Sequence, residues 1–258
     1  YNKDKSKLIQ YPLHKTSSSF RTPTNLTRIR SYAFSENPYL KNVTVSAVVI
    51  GEEAFSHMEN LQSVTLLRTT VIEKRAFCEN RRLTKVNIPD SVKTIGEDAF
   101  FYSSIQTAHI PTGLTKLGKN AFYGCNKLVS FTGGRGKTYR VKDGVLYNGS
   151  YTKLIKYPAK KIDTTFTAPN TIKEVSPYAF YKASNVTKLN FGNKLKKLGY
   201  NAIDSAIKLK SVVFYSSKLS YRSAYGIVDC PKLAVIVGTN TYVMRSMADY
   251  AKATLITL

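Results

Sequence analysis

Few residue types in this 258-residue sequence could do chemistry, and their spacing matches no common catalytic or metal-binding pattern. Metal ligands usually recur within one turn, as in C-x2-C or H-E-x-x-H, and neither motif occurs. A glycine-rich segment, GGRG at 133–136, lacks the Lys-Ser/Thr that completes a phosphate-binding loop. We therefore predict no catalytic residues, no metal ligands and no cofactor. The residues considered are His14, His57, His109, Cys78, Cys125 and Cys230.

The cysteines and His109 have simpler structural interpretations. Three cysteines are an odd number without paired spacing, so a disulfide framework is not indicated, and we interpret them as small buried residues. His109 alternates with apolar residues in the segment IQTAHI. Alternation of this kind predicts that its side chain lies on the outer face of a strand.

The charge of the chain is strongly positive and uneven. There are 39 basic and 16 acidic residues, a net charge of +23, of which +8 falls in residues 1–129 and +15 in residues 130–258. Such an excess attracts polyanions such as nucleic acid, anionic polysaccharide or a membrane surface. A solvated lysine-rich coat is the alternative, because the lysines stand singly between apolar residues.

No apolar run approaches the ~18 residues needed to cross a membrane. The sequence starts at Tyr1 without a methionine, so we expect that its start has been trimmed. Whether a targeting segment preceded Tyr1 is left open.

A short repeat dominates the sequence. Residues 88–100 read IPDSVKTIGEDAF and residues 110–122 read IPTGLTKLGKNAF. The alanine of the Ala-Phe pair, or of its degenerate form, recurs at 33, 54, 76, 99, 121, 179, 202 and 224. A fixed period close to 22 residues predicts a solenoid in which every coil needs its neighbours to cover its core.

Each Ala-Phe pair is followed by a segment of the form L-x-x-L-x-L, which predicts a parallel strand with inward apolar residues. These segments are LKNVTV 40–45, LQSVTL 61–66, LTKVNI 83–88, IQTAHI 105–110, LVSFTG 128–133, VTKLNF 186–191, LKSVVF 209–214 and LAVIVG 233–238.

The recurring frame of residues 88–100 suggests a role for each position within one coil. Pro89 cannot donate to a strand ladder, so the first strand should end before it. Gly96 permits a tight approach of the backbone. Glu97 and Asp98 have the charge expected in the first turn of a short helix. Phe100 is predicted to fill the space between coils.

Two segments depart from the period. Residues 139–158 contain Asp143-Gly144 and Asn148-Gly149, which predict a β-hairpin insertion. Residues 1–34 match residues 147–180 at 13 of 34 positions, so the chain starts within a module that it later repeats. At the other end, residues 240–258 are predicted to be a C-terminal cap. It comprises a final strand, ATLITL, after an amphipathic helix with Tyr242, Met244, Met247, Ala248 and Ala251 on one face.

The unit L-x-x-V-x-I-P-x-x-V-x-x-I-G-x-x-A-F-x-x-C-x-x-L resembles the BspA-like, or treponemal-type, leucine-rich repeats. The resemblance implies one α/β repeat solenoid over 1–258. This fold is a right-handed superhelix with a parallel sheet on its concave face and short helical turns and extended segments on its convex side. It also implies a cell-surface or secreted bacterial protein that functions in adhesion. Family members carry no catalytic motif, and this sequence departs from them in its high lysine content.

The outward positions of the predicted strands form a small, polar and weakly charged concave face. Such a face suits hydrogen bonding to an extended protein or glycan, and a merely solvated sheet is the alternative. It lacks the repeated basic and aromatic residues of a nucleic-acid groove, so no specific nucleic acid is predicted. The candidate binding residues are Asn42, Thr44, Ser63, Thr65, Lys85, Asn87, Thr107, His109, Lys188, Asn190 and Ser211.

Two functions follow from these observations. The first is a non-enzymatic surface protein that binds other proteins or glycans. The alternative is an electrostatic polyanion-binding protein that attaches to a cell-wall polymer or a sulfated glycan. The second would use lysines in the connecting segments, namely Lys194, Lys196, Lys197, Lys208 and Lys210. A third class, a hydrolase decorated by repeats, finds no unassigned stretch long enough for an active site.

Overall fold

The computed structural model describes residues 1–239 and 241–258. They form two compact units, Tyr1–Tyr139 and Arg140–Leu258, and each unit is described by itself. Asn240, the first residue of the predicted cap, lies outside the described residues.

The first unit contains twelve described strands that alternate between two parallel sheets, as the repeat predicts. Because one coil contributes one strand to each sheet, successive strands of a sheet lie one period apart in sequence. The strands are β1 (Lys7–Leu8), β2 (Ser19–Arg21), β3 (Arg28–Ile29), β4 (Asn42–Val45), β5 (Val49–Ile50), β6 (Ser63–Leu66), β7 (Val71–Ile72), β8 (Lys85–Asn87), β9 (Thr94–Ile95), β10 (Thr107–Ile110), β11 (Lys116–Leu117) and β12 (Ser130–Gly133).

One sheet of the first unit has two-residue strands and the other has longer strands. The short strands follow the order β1-β3-β5-β7-β9-β11. The longer strands form the four-stranded sheet β2-β4-β6-β8 and the pair β10-β12, which together are called the long-strand face. Every predicted L-x-x-L-x-L segment of this unit contains one of these longer strands, so the parallel-strand prediction is confirmed.

The second unit repeats this plan after an antiparallel start. The short strands β17 and β19 extend the sheet β13-β14-β15-β17-β19, β20 pairs with β22, and the longer strands form β16-β18-β21-β23-β24. The elements are β13 (Tyr139–Lys142), β14 (Val145–Asn148), β15 (Lys153–Lys156), β16 (Thr165–Thr167), β17 (Glu174–Val175), β18 (Lys188–Phe191), β19 (Lys197–Leu198), β20 (Ile203–Asp204), β21 (Ser211–Phe214), a 3-10 helix (Tyr221–Tyr225), β22 (Ile227–Val228), β23 (Val235–Gly238), α1 (Tyr242–Ala251) and β24 (Thr254–Thr257).

A file of phenylalanine rings forms the centre of the first unit. The rings of Phe55, Phe77, Phe100 and Phe122 stack nearly parallel, with neighbouring centroids 5.2–5.4 Å apart and interplanar angles of 3–9°. The three rings of Phe55, Phe77 and Phe100 are completely buried. Each inner ring of the file stacks against the rings of the coils before and after it, which confirms the predicted stacking and makes neighbouring coils interdependent.

The turns that carry the Ala-Phe pair are not helical, so the helical first turn predicted at Glu97 and Asp98 is wrong. Asp98 has a φ of +52°, which lies in the left-handed region and interrupts a right-handed helix. Backbone N–H groups of these turns donate across to the next coil, as from Phe100 to the carbonyl of Ala121 at 2.9 Å. A helix would instead require those donors for bonds within its own turn.

Helix is scarce throughout the described residues, where α1 and the 3-10 helix are the only examples. The solenoid of parallel strands is confirmed, but the α/β description with a helical turn in each coil is not. The backbone N–H and C=O groups are satisfied instead by hydrogen bonds between the short strands and by bonds from the turns to the next coil.

Gly96 occupies the tight position that the sequence predicts. A Cβ atom at this residue would lie 2.5 Å from the carbonyl carbon of Glu73 in the preceding coil. The two backbones therefore approach more closely than any side chain would permit.

The two departures from the period have the predicted secondary structure. Strands β14 and β15 pair antiparallel, and β15 then pairs parallel with β17. Helix α1 buries Met244, Met247 and Ala248, whereas Tyr242 of the predicted apolar face is exposed. Strand β24 pairs with β23 and adds the last strand to the long sheet of the second unit, so the predicted helix and strand are confirmed.

The stacked file predicts a large loss of stability when one ring is removed. Phe77→Ala would leave a cavity between Phe55 and Phe100, and we expect the free energy of unfolding to fall by about 3–5 kcal/mol. Leu67→Ala is the control because Leu67 is 42% exposed, and it should change stability by less than about 0.5 kcal/mol. Urea unfolding monitored by circular dichroism measures both, and equal effects would contradict the role assigned to the file.

Candidate functional site

The long-strand face of the first unit aligns the predicted binding residues in two straight rows. The strands β4, β6 and β8 pair in register, so residues at the same repeat position lie directly opposite one another. Neighbouring strands of a sheet are about 4.8 Å apart, which sets the spacing along each row. The rows are Asn42–Ser63–Lys85 and Thr44–Thr65–Asn87.

These rows are exposed or half-buried and are partly fixed by their own hydrogen bonds. The Ser63 hydroxyl donates to Oδ1 of Asn42 at 2.6 Å, across one strand pair. The residue between the rows, Val43 on β4 and Val64 on β6, is buried in the core. Alternation of one buried and two outward side chains therefore gives a polar surface on a rigid backing.

The β10–β12 pair continues the rows with a histidine–carboxylate contact. Thr107 lies opposite Ser130, and His109 lies opposite Thr132. The His109 ring contacts Oδ1 of Asp90 through Nε2 at 3.0 Å.

The hydrogen bond from His109 lowers the pKa of the Asp90 carboxyl, and the backbone N–H of Thr112 at 3.1 Å adds to this effect. Both side chains of the Asp90–His109 pair reach solvent, with exposed fractions of 67% and 34%. The pair is a polar feature of the long-strand face.

The long sheet of the second unit, β16-β18-β21-β23-β24, changes from polar to apolar side chains along its rows. Asn190 on β18 lies opposite Val213 on β21, which lies opposite Val237 on β23. The next residue in this row, Ile256 on β24, is 49% exposed. Lys188 lies opposite Ser211 in the other row, so the predicted residues occupy the polar end of this sheet.

Sequence reasoning missed the first strand of each row. Strands β2 and β16 read SFR and TFT, and neither is preceded by the apolar residue that begins the other segments. They place Ser19 and Arg21 beside β4, and Thr165 and Thr167 beside β18. The 146-residue internal match was the available signal, because it aligns Phe20 with Phe166 as the buried or half-buried centre of both strands.

The predicted polyanion-binding lysines are all exposed, but they form two groups. Lys194, Lys196 and Lys197 follow β18, with Lys197 itself in the short strand β19, whereas Lys208 and Lys210 immediately precede β21. Lys197 contacts Glu174 at 3.2 Å, and this is the only ion pair of the five within the described residues.

A tyrosine-lined pocket in the second unit was not predicted. Tyr221 and Tyr242 stack with centroids 5.9 Å apart, and Tyr225 meets the edge of Tyr250 at 6.1 Å. Asp249 adds one carboxylate to the lining of the pocket. No sequence pattern indicated this pocket, because the 3-10 helix and α1 are separate elements whose packing forms its walls.

The comparisons with known proteins agree with this architecture. The model of the BspA type leucine rich repeat region matches in six copies, within residues 13–129, 48–164 and 159–251. No curated protein sequence matches significantly. Among the described residues, no helix is both long and apolar enough for a membrane crossing.

Solved structures show the same fold. A leucine rich cell surface protein from Faecalibacterium prausnitzii aligns over 98% of this chain and 83% of its own, with 22% identity and a TM-score of 0.64. A leucine-rich repeat protein from Eubacterium ventriosum aligns over 98% and 78%, with 21% identity and a TM-score of 0.63. The pneumococcal vaccine antigen PcpA aligns over 90% and 74%, with 20% identity and a TM-score of 0.66.

The family model covers most of the chain, and the stacked coils have the geometry that its repeat requires. The chain belongs to the BspA-type leucine-rich repeat family.

Proposed function

We propose that this chain is a non-enzymatic, cell-surface or secreted scaffold that binds a protein partner along its long-strand face. Family membership supports a binding scaffold, and one structural relative is described as a cell surface protein. Glycan binding is the alternative for the same face, and adhesion is the process that either contact would serve.

The observation that carries the proposal is the row of small polar side chains on β4, β6 and β8. Asn, Ser and Thr offer both hydrogen-bond donors and acceptors at a spacing close to that of neighbouring strands. An extended peptide also presents donors and acceptors at regular intervals along its backbone. The backing by buried Val43 and Val64 keeps the rows in place, which lowers the entropy cost of binding.

The weak charge of these rows separates them from an electrostatic surface. Lys85 is the only charged residue among the six. A contact made mainly by short polar side chains releases few counterions, so its affinity should fall little with added salt.

The first test is a pair of bulky substitutions on the face, Thr44→Arg with Thr65→Arg. The long side chains would separate a partner from the rows, and we expect at least about tenfold weaker binding. The probe is a panel of immobilised extracellular-matrix proteins, with a glycan array in parallel, at about 50 mM and about 200 mM NaCl.

The matched control is Thr27→Arg with Thr115→Arg. Both threonines are exposed and precede short strands, so the same charges are added away from the face. Binding that is equal in the two double variants, or binding to glycans alone, would contradict a protein contact on the long-strand face.

A second candidate function is electrostatic attachment to a polyanion through the second unit. This unit has 19 basic and 6 acidic residues, and the five named lysines are all exposed and lie between β18 and β21 in the chain. Within the described residues, four of these five ammonium groups form no ion pair, so their charge is available to an anionic polymer.

The second test replaces Lys194, Lys196, Lys197, Lys208 and Lys210 with Gln and measures elution from a heparin column. We expect elution at a clearly lower salt concentration because counterion release decreases with every lost contact. The control carries the same change at five exposed lysines of the first unit, namely Lys3, Lys5, Lys41, Lys74 and Lys119. Unchanged retention of the first variant would contradict the assignment, and equal losses in both would indicate net charge alone.

A further inference from the structure

Stacking of coils brings three different metal-binding side chains together at one corner of the first unit. The carboxylate of Glu53, a ring nitrogen of His57 and the thiol of Cys78 offer ligand atoms that all lie within 4.8 Å of one another. No second group of three such ligands occurs among the described residues. The corner lies in the turns that carry Ala54-Phe55 and Ala76-Phe77, away from the strands of the long-strand face.

The solenoid period creates this cluster. His57 and Cys78 are 21 residues apart, nearly one full coil, and the backbone N–H of His57 donates to the carbonyl of Cys78 at 3.0 Å. Glu53 and His57 both have left-handed backbone conformations, with φ of +51° and +54°, which turn the chain sharply between them. Two ligands therefore come from one coil and the third from the next.

We propose that Glu53, His57 and Cys78 form a zinc site that links two neighbouring coils. A thiolate, an imidazole and a carboxylate are the three ligand types that Zn²⁺ takes in proteins, and the borderline-soft ion favours this mixture over Mg²⁺ or Ca²⁺. Three protein ligands leave one position of the tetrahedron for water. The site is separate from the proposed binding function, because it uses none of the residues of the long-strand rows.

The ligands need only a modest rearrangement to close on an ion. Zinc–ligand bonds of about 2.0–2.3 Å place tetrahedral ligand atoms roughly 3.4–3.7 Å apart, about 1 Å closer than the present limit. His57 is exposed and Glu53 is half-buried, so both side chains can rotate toward the buried Cys78. Burial raises the pKa of the Cys78 thiol, so the ion would displace a proton to bind it.

Arg75 would compete with the zinc ion for the side chains of Glu53 and Cys78. Its guanidinium contacts the carboxylate of Glu53 at 3.5 Å, and its interaction with the neighbouring Cys78 side chain raises the pKa of Arg75. Because the Arg75 side chain is 37% exposed, it can swing into solvent when an ion neutralises both partners. An arginine and a zinc ion would thus exclude each other at this corner, with opposite effects of mutating Arg75 and mutating a ligand.

The other buried cysteines lack this environment. The Cys125 thiol donates to the carbonyl of Phe100 at 3.1 Å, and the Cys230 thiol lies 3.2 Å from the carbonyl of Val228. Neither belongs to a described group of three ligands. Cys125 therefore serves as a matched control for Cys78 in an adjacent part of the same unit.

The test titrates the purified metal-free chain with Co²⁺ and then displaces it with Zn²⁺. We expect one bound ion, the visible absorption of tetrahedral Co²⁺ and a thiolate-to-Co²⁺ charge-transfer band that Cys78→Ser abolishes and Cys125→Ser retains. His57→Asn should weaken binding at least about tenfold, since loss of even an outer-shell partner costs about 10–100-fold. Asn tolerates the left-handed backbone, and His57 is exposed, so this variant should fold.

The Arg75→Gln variant is predicted to change Co²⁺ affinity in the opposite direction from the ligand variants. Removal of the competing cation should tighten Co²⁺ binding, whereas a merely structural role of Arg75 would not. Absence of a charge-transfer band in the unmodified chain would overturn the proposal, as would a band that His57→Asn leaves unchanged. An ion bound equally well by the Cys78→Ser variant would place it elsewhere and overturn the proposal in the same way.

Discussion

Each coil of this protein has an apolar interior that only the neighbouring coils can cover. The stacked rings from Phe55 to Phe122 are the clearest expression of this constraint, because the faces of each central ring contact rings from other coils. The backbone obeys the same rule, since turn N–H groups such as that of Phe100 donate to the next coil. The cooperativity of each unit therefore arises from contacts between coils rather than within them.

The same stacking determines which side chains meet. Residues about one period apart become neighbours, as in the Asn42–Ser63–Lys85 row and in the ion pairs that Glu174 forms with Lys153 and Lys197. The cluster of Glu53, His57 and Cys78 arises in this way. Ligand motifs with the short spacing of a helix or a hairpin do not detect such a cluster, because the spacing that brings ligands together here is close to 22 residues.

The long-strand face and the five exposed lysines of the second unit would recognise different chemistry. The rows of Asn, Ser and Thr suit directional hydrogen bonds to a defined backbone, whereas the scattered lysines of the second unit suit a polymer of repeating negative charge. Both surfaces lie on outward positions that the core does not constrain, so charge and polarity can vary there without loss of the fold.

The amino-acid sequence determined the solenoid, its parallel strands and the file of phenylalanines, because a period of about 22 residues specifies which residues must share one buried position. It also indicated the outward rows, since strand alternation follows directly from the buried leucines and valines. The helical turn expected at Glu97 and Asp98 was wrong, because local charge preference could not reveal that the N–H groups of this turn bond to the next coil. The tyrosine pocket and the Glu53–His57–Cys78 cluster were decided only by tertiary structure. Each depends on how neighbouring coils or distant segments are placed against one another, and no single stretch of sequence contains that information.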